Sequence, residues 1–521
     1  MANPATPDTD RAAVPTAVPA LATAVPAFIG YTPRAEIDGV SCYGKPVRIR
    51  SFEEFRAWFL LPEAPVPAAP VRQYQPRFDL VLQASAASGG LNIAGKHYLL
   101  QPDPRSIYYL YNSLRAFYRN GGAEAWIVAV GGYGPAAGAP PAVSDAALVN
   151  PHVVLDELLG GLQLLRGQPE PTLYLCPEAI LLERVEHSTL MRHMLTQARA
   201  LGTAVCLFDV RGGDQADAQS YARDIEEFRA AIGTEDLDRG VCYFPFIGTD
   251  LMTEDEFDYR NLSGGDLGAL KAVLSPPDAP NPPAALLLEA AMTASPPELS
   301  AQQLHHNLLA ASPAYGWILA AVRERANLLP ASAALAGIYA AIDRTQGIWV
   351  APANVGIVGA TALPIQLDDL QQAPLNIDLL TGKSINVIRS LNGRGIVVWG
   401  DRTLDGNSPD WRFIQVRRTL IYIEQSIKAA LQLEAFAPNN ASTWAATQSL
   451  IENFLNSLWQ KGALLGATPA DAYAVAIGLG LTMTADDIQQ GLMRVNVQLA
   501  LLHPADFMLL TMTQQVDAAS A

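Results

Sequence analysis

The sequence predicts a multi-domain α/β protein of mixed α+β character, with a parallel sheet in its middle and a second α/β body toward its C-terminus. Three observations carry that prediction. The 521 residues are several times the ~100–200 of one domain. Between residues 106 and 247, continuous apolar runs alternate with helical periods, as expected of strands buried on both faces beneath crossover helices. Charged residues are only 17% of the chain against roughly 25% in an average soluble sequence, which points to surface covered in an assembly.

Residues 1–20 are mostly Ala, Pro, Thr and Asp, too poor in large apolar side chains to offset ordering entropy, and read as a flexible arm. From Ser106, "SIYYLYNSLRAFYRNGG" offers a serine N-cap, apolar Ile107, Leu110, Leu114 and Phe117 on one face, and a Gly121 stop, predicting a helix. "AWIVAV" (125–130) follows as a buried strand. A helix near 153–165, strand 172–176, helix 180–200 ending at Gly202, strand 204–210, helix 214–231 and strand 241–247 repeat the alternation. Pro/Ala-rich stretches at 62–70, 134–142 and 275–283 suit extended surface loops.

Ser408 and Pro409 predict the start of a long helix whose Phe413, Val416, Leu420, Ile423, Ile427 and Ala430 recur at alternating spacings of 3 and 4. Another spans about Ser442 to Lys461 and stops at Gly462. "LMRVNVQLALL" (492–502) alternates polar and apolar residues as a half-exposed strand. "DFMLLTM" (506–512), uniformly apolar in its middle and close to the chain end, is a strand placed to leave its own body.

Lys plus Arg total 35 against 51 Asp plus Glu, a net charge of -16, the wrong sign for gripping phosphate backbones or anionic lipid; no nucleic-acid partner is expected. No apolar run approaches the ~18 residues of a membrane span. The first residues lack the basic start and apolar core of a secretory signal, so residence is expected to begin in the cytoplasm. Cys42, Cys176, Cys206 and Cys242 are too scattered for a disulfide framework or metal knuckle and read as small buried hydrophobes.

The sharpest chemical motif is "GLNIAGKH" (90–97), which has the Gly95–Lys96 step of a phosphate loop but His97 where a magnesium-holding Ser or Thr belongs, and no helix behind it. Asp209 ends a predicted strand, where doubly wound sheets place ligands. A tight turn with Asp214 capping the next helix accounts for the same residues without one. His187 and His193 stand about 240° apart on a helix and cannot share a metal; with His305 and His306 they read as surface histidines. No G-x-S-x-G, HExxH or paired CxxC occurs, so no catalytic, cofactor-binding or metal residue is assigned and no cofactor is expected.

Several long motifs carry a resemblance. "TAVPAFIGYT" (23–32), "FYRNGGAEAWIVAV" (117–130), "GIYAAIDRTQGIWVAPAN" (337–354), "INVIRSLNGRGIVVWGDRTL" (385–404), "WRFIQVRRTLIYIEQSI" (411–427) and 436–475, in this order, make the chain similar to the contractile tail sheath family of phages, R-type bacteriocins and extracellular injection systems. The resemblance covers about 23–130 and 333–515. Local physics accounts for several of these residues: Trp349, Pro352 and Asn354 suit a packed turn, Gly393 and Gly395 a tight strand start, and Thr468 with Pro469 a capped short helix.

The resemblance implies a structural, non-enzymatic subunit that polymerises as stacked rings around an inner tube protein, between baseplate and cap proteins, and contracts to drive the tube through a target envelope. It implies a particle assembled in the cytoplasm, a phage tail or an extracellular contractile device. The implied layout is a flexible arm (1–22), the N-terminal part of the body (23–130), an outward-facing middle α/β domain (131–332), a C-terminal core (333–503) and an arm with an exchangeable strand (504–521). Family arms lend strands to neighbouring protomers. Phe507, Met508, Leu509, Leu510, Thr511 and Met512 are then the donor, and Val495, Val497 and Leu499 part of the acceptor. Pairing within its own domain fits the same residues.

The first 20 residues depart from the family's β-branched "PGVYIEE" type of start. Pro15 and Pro19 cannot donate ladder bonds, leaving Val14, Thr16 and Val18 as the possible N-terminal contact. That departure raises a specialised paralogue at the baseplate or cap end as an alternative. Alternatives of other kinds are an α/β hydrolase or nucleotide-binding enzyme using Asp209 or Lys96, and a static tube or shell protein.

Overall fold

The structure, a computed structural model, describes residues 17–63, 71–86, 89–134, 148–293, 299–433, 437–502 and 507–515. The chain forms two compact units. The larger comprises Ala24–Thr345 and Ala351–Ile414, the smaller Met1–Thr23, Gln346–Val350 and Gln415–Ala521.

The larger unit begins with β1 (Pro26–Tyr31), a hairpin of β2 (Glu36–Ile37) and β3 (Val40–Ser41), β4 (Pro46–Ile49) and α1 (Phe52–Phe59). An antiparallel sheet of β5 (Phe78–Gln83), β6 (Leu91–Ile93) and β7 (Lys96–Pro102) precedes α2 (Leu110–Arg119) and β8 (Ala125–Gly131). Then come α3 (Leu155–Leu164), β9 (Leu173–Leu175), α4 (Arg184–Leu201), β10 (Val205–Asp209), α5 (Tyr221–Ala231) and β11 (Gly240–Phe244). After β12 (Ile247–Thr249), four helices follow, α6 (Leu267–Leu274), α7 (Pro282–Thr293), α8 (Ala301–Ala311) and α9 (Pro313–Ala326). The unit closes with β13 (Leu328–Leu329), α10 (Ser332–Thr345), β14 (Ala360–Ala362), α11 (Asp369–Asn376) and the hairpin β15 (Asn386–Leu391) and β16 (Gly395–Trp399).

Its main sheet has the order β16-β15-β11-β10-β9-β1-β8-β4, parallel except where β16 and β4 join antiparallel at the two edges. Every residue of β1, β9, β10 and β11 is buried, as their continuous apolar sequences require when helices cover both faces. Successive side chains of β1 alternate between those faces. Phe28 meets Phe117 of α2 edge-on, with ring centroids 5.6 Å apart, while Ile29 packs against Gly161 of α3. Gly337 lets α10 lie on α2, since a Cβ there would stand 2.3 Å from the carbonyl oxygen of Phe117.

This architecture redraws the expected boundaries. The parallel sheet is not confined to 131–332: β1 and β8 precede that region, and β15, which extends the sheet from β11, follows it. Residues 333–345 and 351–414 therefore share a unit with the sheet, residues 346–350 belong to the smaller unit, and the main division falls at 414/415 rather than at 332/333.

Several predicted starts also move. Ser106 does not cap α2; its hydroxyl donates to the carbonyl of Asp103 and accepts from the N–H of Arg77, and the helix begins at Leu110. Asp214 pairs with Arg325 instead of capping α5, which starts at Tyr221. Ser408 closes a turn onto the N–H of Trp411, and the long helix begins at Ile414. His187 is not a surface residue: it is 4% exposed, whereas His193 and His306 are exposed and His305 is half-buried against the Tyr315 hydroxyl. The four cysteines are free and buried, as expected.

The smaller unit holds α12 (Ile414–Leu433, whose first residue belongs to the larger unit), α13 (Ala441–Gln460), α14 (Pro469–Ala472), β17 (Tyr473–Ala476), α15 (Ala485–Gln489), β18 (Leu492–Ala500) and β19 (Phe507–Gln515). The predicted stripe Val416, Leu420, Ile423, Ile427 and Ala430 is buried along α12. Asn440 caps α13 by accepting the N–H groups of Ser442 and Thr443. Thr468 and Asp471 form a capping box on α14 with Pro469 in its first turn, as predicted. No helix among the described residues is long and apolar enough to cross a membrane.

Candidate functional site

The candidate assembly site is the antiparallel sheet β17-β18-β19 of the smaller unit. Its central strand β18 presents Met493, Val495, Val497 and Leu499 at 1% exposure or less, while Arg494 and Asn496 are half-buried and Gln498 is exposed. That alternation is the predicted half-exposed strand. On one side β17 pairs from Tyr473 opposite Leu499 to Ala476 opposite Asn496.

On the other side β19 covers β18 along its whole length, from Phe507 opposite Ala500 to Gln515 opposite Leu492. The proposed donor and acceptor residues therefore meet: Met512 stands opposite Val495, Leu510 opposite Val497, and Met508 opposite Leu499. They meet within one chain. β18 is fixed from several directions: Leu465 donates its N–H to the carbonyl of Ala500, Thr482 its hydroxyl to that of Arg494, and Asn439 its amide to that of Leu492. Arg494 also pairs with Asp487 of α15 at 3.0 Å, and hydrogen bonds from Thr484 with this arginine hold the Asp487 carboxyl down at about 2. Val14 and Thr16 lie outside the described residues, and Val18 is half-buried outside any strand.

The candidate chemical sites resolve into scaffold. Gly95 forms the turn between β6 and β7 with φ +79°, Lys96 pairs with Asp278 at 2.9 Å, and a strand rather than a helix follows. Asp209 is 6% exposed, and its Oδ1 accepts the N–H groups of Ala331 and Ser332 at 2.8 and 3.0 Å, capping the start of α10; burial raises its carboxyl to about 6.

A residue that no motif singled out occupies the ligand position of the sheet. Numbering the six parallel strands by appearance gives the order 2-1-3-4-5-6, so the topological switch point lies between β1 and β9, where such sheets bind ligands beyond the strand ends. Glu178, just past β9 and fully buried, fills it. Its Oε1 accepts the N–H groups of Tyr109 and Leu110 at 3.2 and 2.8 Å, and a Cβ on Gly30 of β1 would stand 2.2 Å from its Oε2. Burial lifts this carboxyl to about 7 against the pull of those N–H groups. Among the described residues no group of three or more His, Cys, Asp or Glu side chains is arranged to hold a metal.

Known proteins resemble the chain in both sequence and fold. Residues 292–404 match the phage tail sheath protein central domain, and residues 407–515 the phage tail sheath C-terminal domain. The tail sheath protein of Burkholderia phage BcepMu is 30% identical over 133 residues, 24% of this chain, so the match spans 27% of that relative's length. The anti-feeding prophage (AFP) helical sheath in its contracted state is similar over 99% of this chain and 98% of its own, with 25% identity and a TM-score of 0.53. The PVC sheath complex of an extracellular contractile injection system, also contracted, shares the fold over the same proportions, with 23% identity and a TM-score of 0.54. A chain of the AFP baseplate matches with 25% identity, 96% coverage of both chains and a TM-score of 0.52. The boundary between the two matched domains, at 404/407, lies close to the point where the compact units part. Sequence motifs, domain matches and full-length fold converge: residues 292–404 and 407–515 match the central and C-terminal domains of phage tail sheath proteins, in a chain whose whole fold is similar to that of a contractile sheath.

Proposed function

We propose that the chain is the structural subunit of a contractile sheath, stacking in rings around an inner tube and shortening to drive that tube through a target envelope. The observation that carries this reading is the likeness over nearly the whole chain to a helical sheath in its contracted state. Baseplate and cap proteins are the partners at the two ends, and the particle assembles in the cytoplasm before release. In this reading β19 is the exchangeable strand, the β18 edge its acceptor, and the segment around Val14 to Val18 a second, briefer contact. The subunit performs no catalysis: the carboxylates that sequence or fold point to as ligand groups, Asp209 and Glu178, are engaged as caps on α10 and α2.

Negative-stain electron microscopy of the purified chain, with and without a co-expressed tube protein, tests the reading. Hollow striated cylinders, some of them short and wide, are expected. Cylinders that never shorten would indicate a static shell. Compact monomers in every condition would overturn the main-sheath role and favour a paralogue bound at the baseplate or cap.

A further inference from the structure

We propose that before assembly β19 occupies the acceptor edge of its own chain, so that each free subunit is self-capped and polymerises only when the strand is displaced. The inference rests on the strand-exchange reading above and adds its regulation. Nine consecutive residue pairs join β18 and β19 within one chain, with no bulge interrupting the register. Without that cover, β18 would present a nine-residue edge of unpaired backbone, a template for indiscriminate pairing.

Exchange exchanges like for like. The same ladder forms whether β19 comes from its own chain or from a neighbour, so the pairing itself favours neither state. The tether decides between them. Only six residues separate Ala500 from Phe507, and a short link holds the strand at an effective concentration in the millimolar range, far above that of dilute subunits. Self-pairing therefore wins in dilute solution, and contacts elsewhere in a growing lattice must tip the balance. The link also bounds the geometry of the exchange. The seven Cα steps from Ala500 to Phe507 extend at most roughly 25 Å, so an acceptor edge on a neighbour must start within that distance. Leu501 tightens this further, because it bridges to Leu464 and anchors the root of the link in its own unit.

The register supplies the test. Asn496 stands opposite Thr511, and antiparallel partners lie at Cα separations of about 4.5–5.5 Å, within the span a disulfide bridges. The full-length Asn496→Cys/Thr511→Cys chain is oxidised once as dilute subunits and once after assembly with the tube protein, then resolved without reductant, with free thiols counted by mass after alkylation. The Gln498→Cys/Leu509→Cys pair, from the same register, serves if the first variant folds poorly. The expected result is an intrachain bond in dilute subunits, a ladder of interchain bonds in sheaths, and oxidised subunits that assemble only after reduction. Dilute subunits with both thiols free, beside interchain ladders in the polymer, would overturn self-capping and leave strand exchange standing. Intrachain bonds in both states would show that the strand never leaves, ending the exchange reading and this inference together.

Discussion

The carboxylate of Glu178 accepts the backbone N–H of Leu110 at 2.8 Å, across 68 residues of sequence. A helix start that neither Ser106 nor Tyr109 caps with a side chain is thus satisfied by a residue from the far side of the sheet's switch point. The bond gives α2 its N-terminal acceptor and fills a crevice from within.

Its first consequence is a pH signature. Burial lifts the Glu178 carboxyl from its ordinary 4.5 to about 7, so folding takes up a proton between those values and this residue's contribution to stability rises as pH falls from 7 toward 4.5. Asp209, raised from 3.8 to about 6, acts in the same direction between those limits. His187, pushed from 6.5 down to about 3 by burial and by the Arg211 charge, acts oppositely: its neutral form is favoured, and stability is lost as pH falls below 6.5. Chemical denaturation from pH 7 to 5 should show a net gain for the native chain. Glu178→Gln should flatten it, and His187→Gln should steepen it.

Asp209→Ala leaves two N–H groups at the start of α10 without their acceptor and should cost about 1–3 kcal/mol in the larger unit. Asp209→Asn keeps an oxygen in place and should cost less. Midpoints of urea unfolding distinguish the two, and equal losses would refute a capping role.

Adjacent glycines in α3 should behave oppositely. A Cβ on Gly161 would stand 2.6 Å from Val130 Cγ1 and 2.8 Å from Ile29 Cγ2, so Gly161→Ala should destabilise by roughly 1–3 kcal/mol. Nothing lies within 4 Å of a Cβ on Gly160, and Gly160→Ala should stabilise the helix by about 0.5–1 kcal/mol. Thermal unfolding of the two single variants decides it.

Deleting residues 505–521 removes β19 while leaving the larger unit's sheet intact. The truncated chain should keep its circular dichroism and form no striated cylinders. Normal sheaths from this truncation would refute strand donation.

Sequence made the sheet legible wherever burial was two-sided. Leu173–Leu175, Val205–Asp209 and Gly240–Phe244 are continuous apolar runs because helices cover both faces, and period and composition report that directly. The half-exposed β18 was legible for the converse reason, its alternation of Val495, Val497 and Leu499 with polar neighbours. Helix starts were less so. Ser106, Asp214 and Ser408 are competent capping residues, but each is engaged by a nearby turn or ion pair, and local propensity cannot weigh those partners. Glu178 left no local signal at all, since its role depends on a strand order that brings β9 beside β1. His187 was misplaced because a polar residue on a helix predicts exposure unless the whole face is known to be covered.

The backbone crosses between the two units four times, at 23/24, 345/346, 350/351 and 414/415. The first crossing leads straight into β1, which lies inside the sheet with parallel partners β8 and β9 on its two sides. A pull passed along the chain at that point runs lengthwise through the strand, loading both ladders in shear, so their hydrogen bonds must yield together rather than one after another. At this crossing the chain enters the larger unit through a strand held on both edges and not through one at the rim of the sheet, where a pull would peel the bonds away singly.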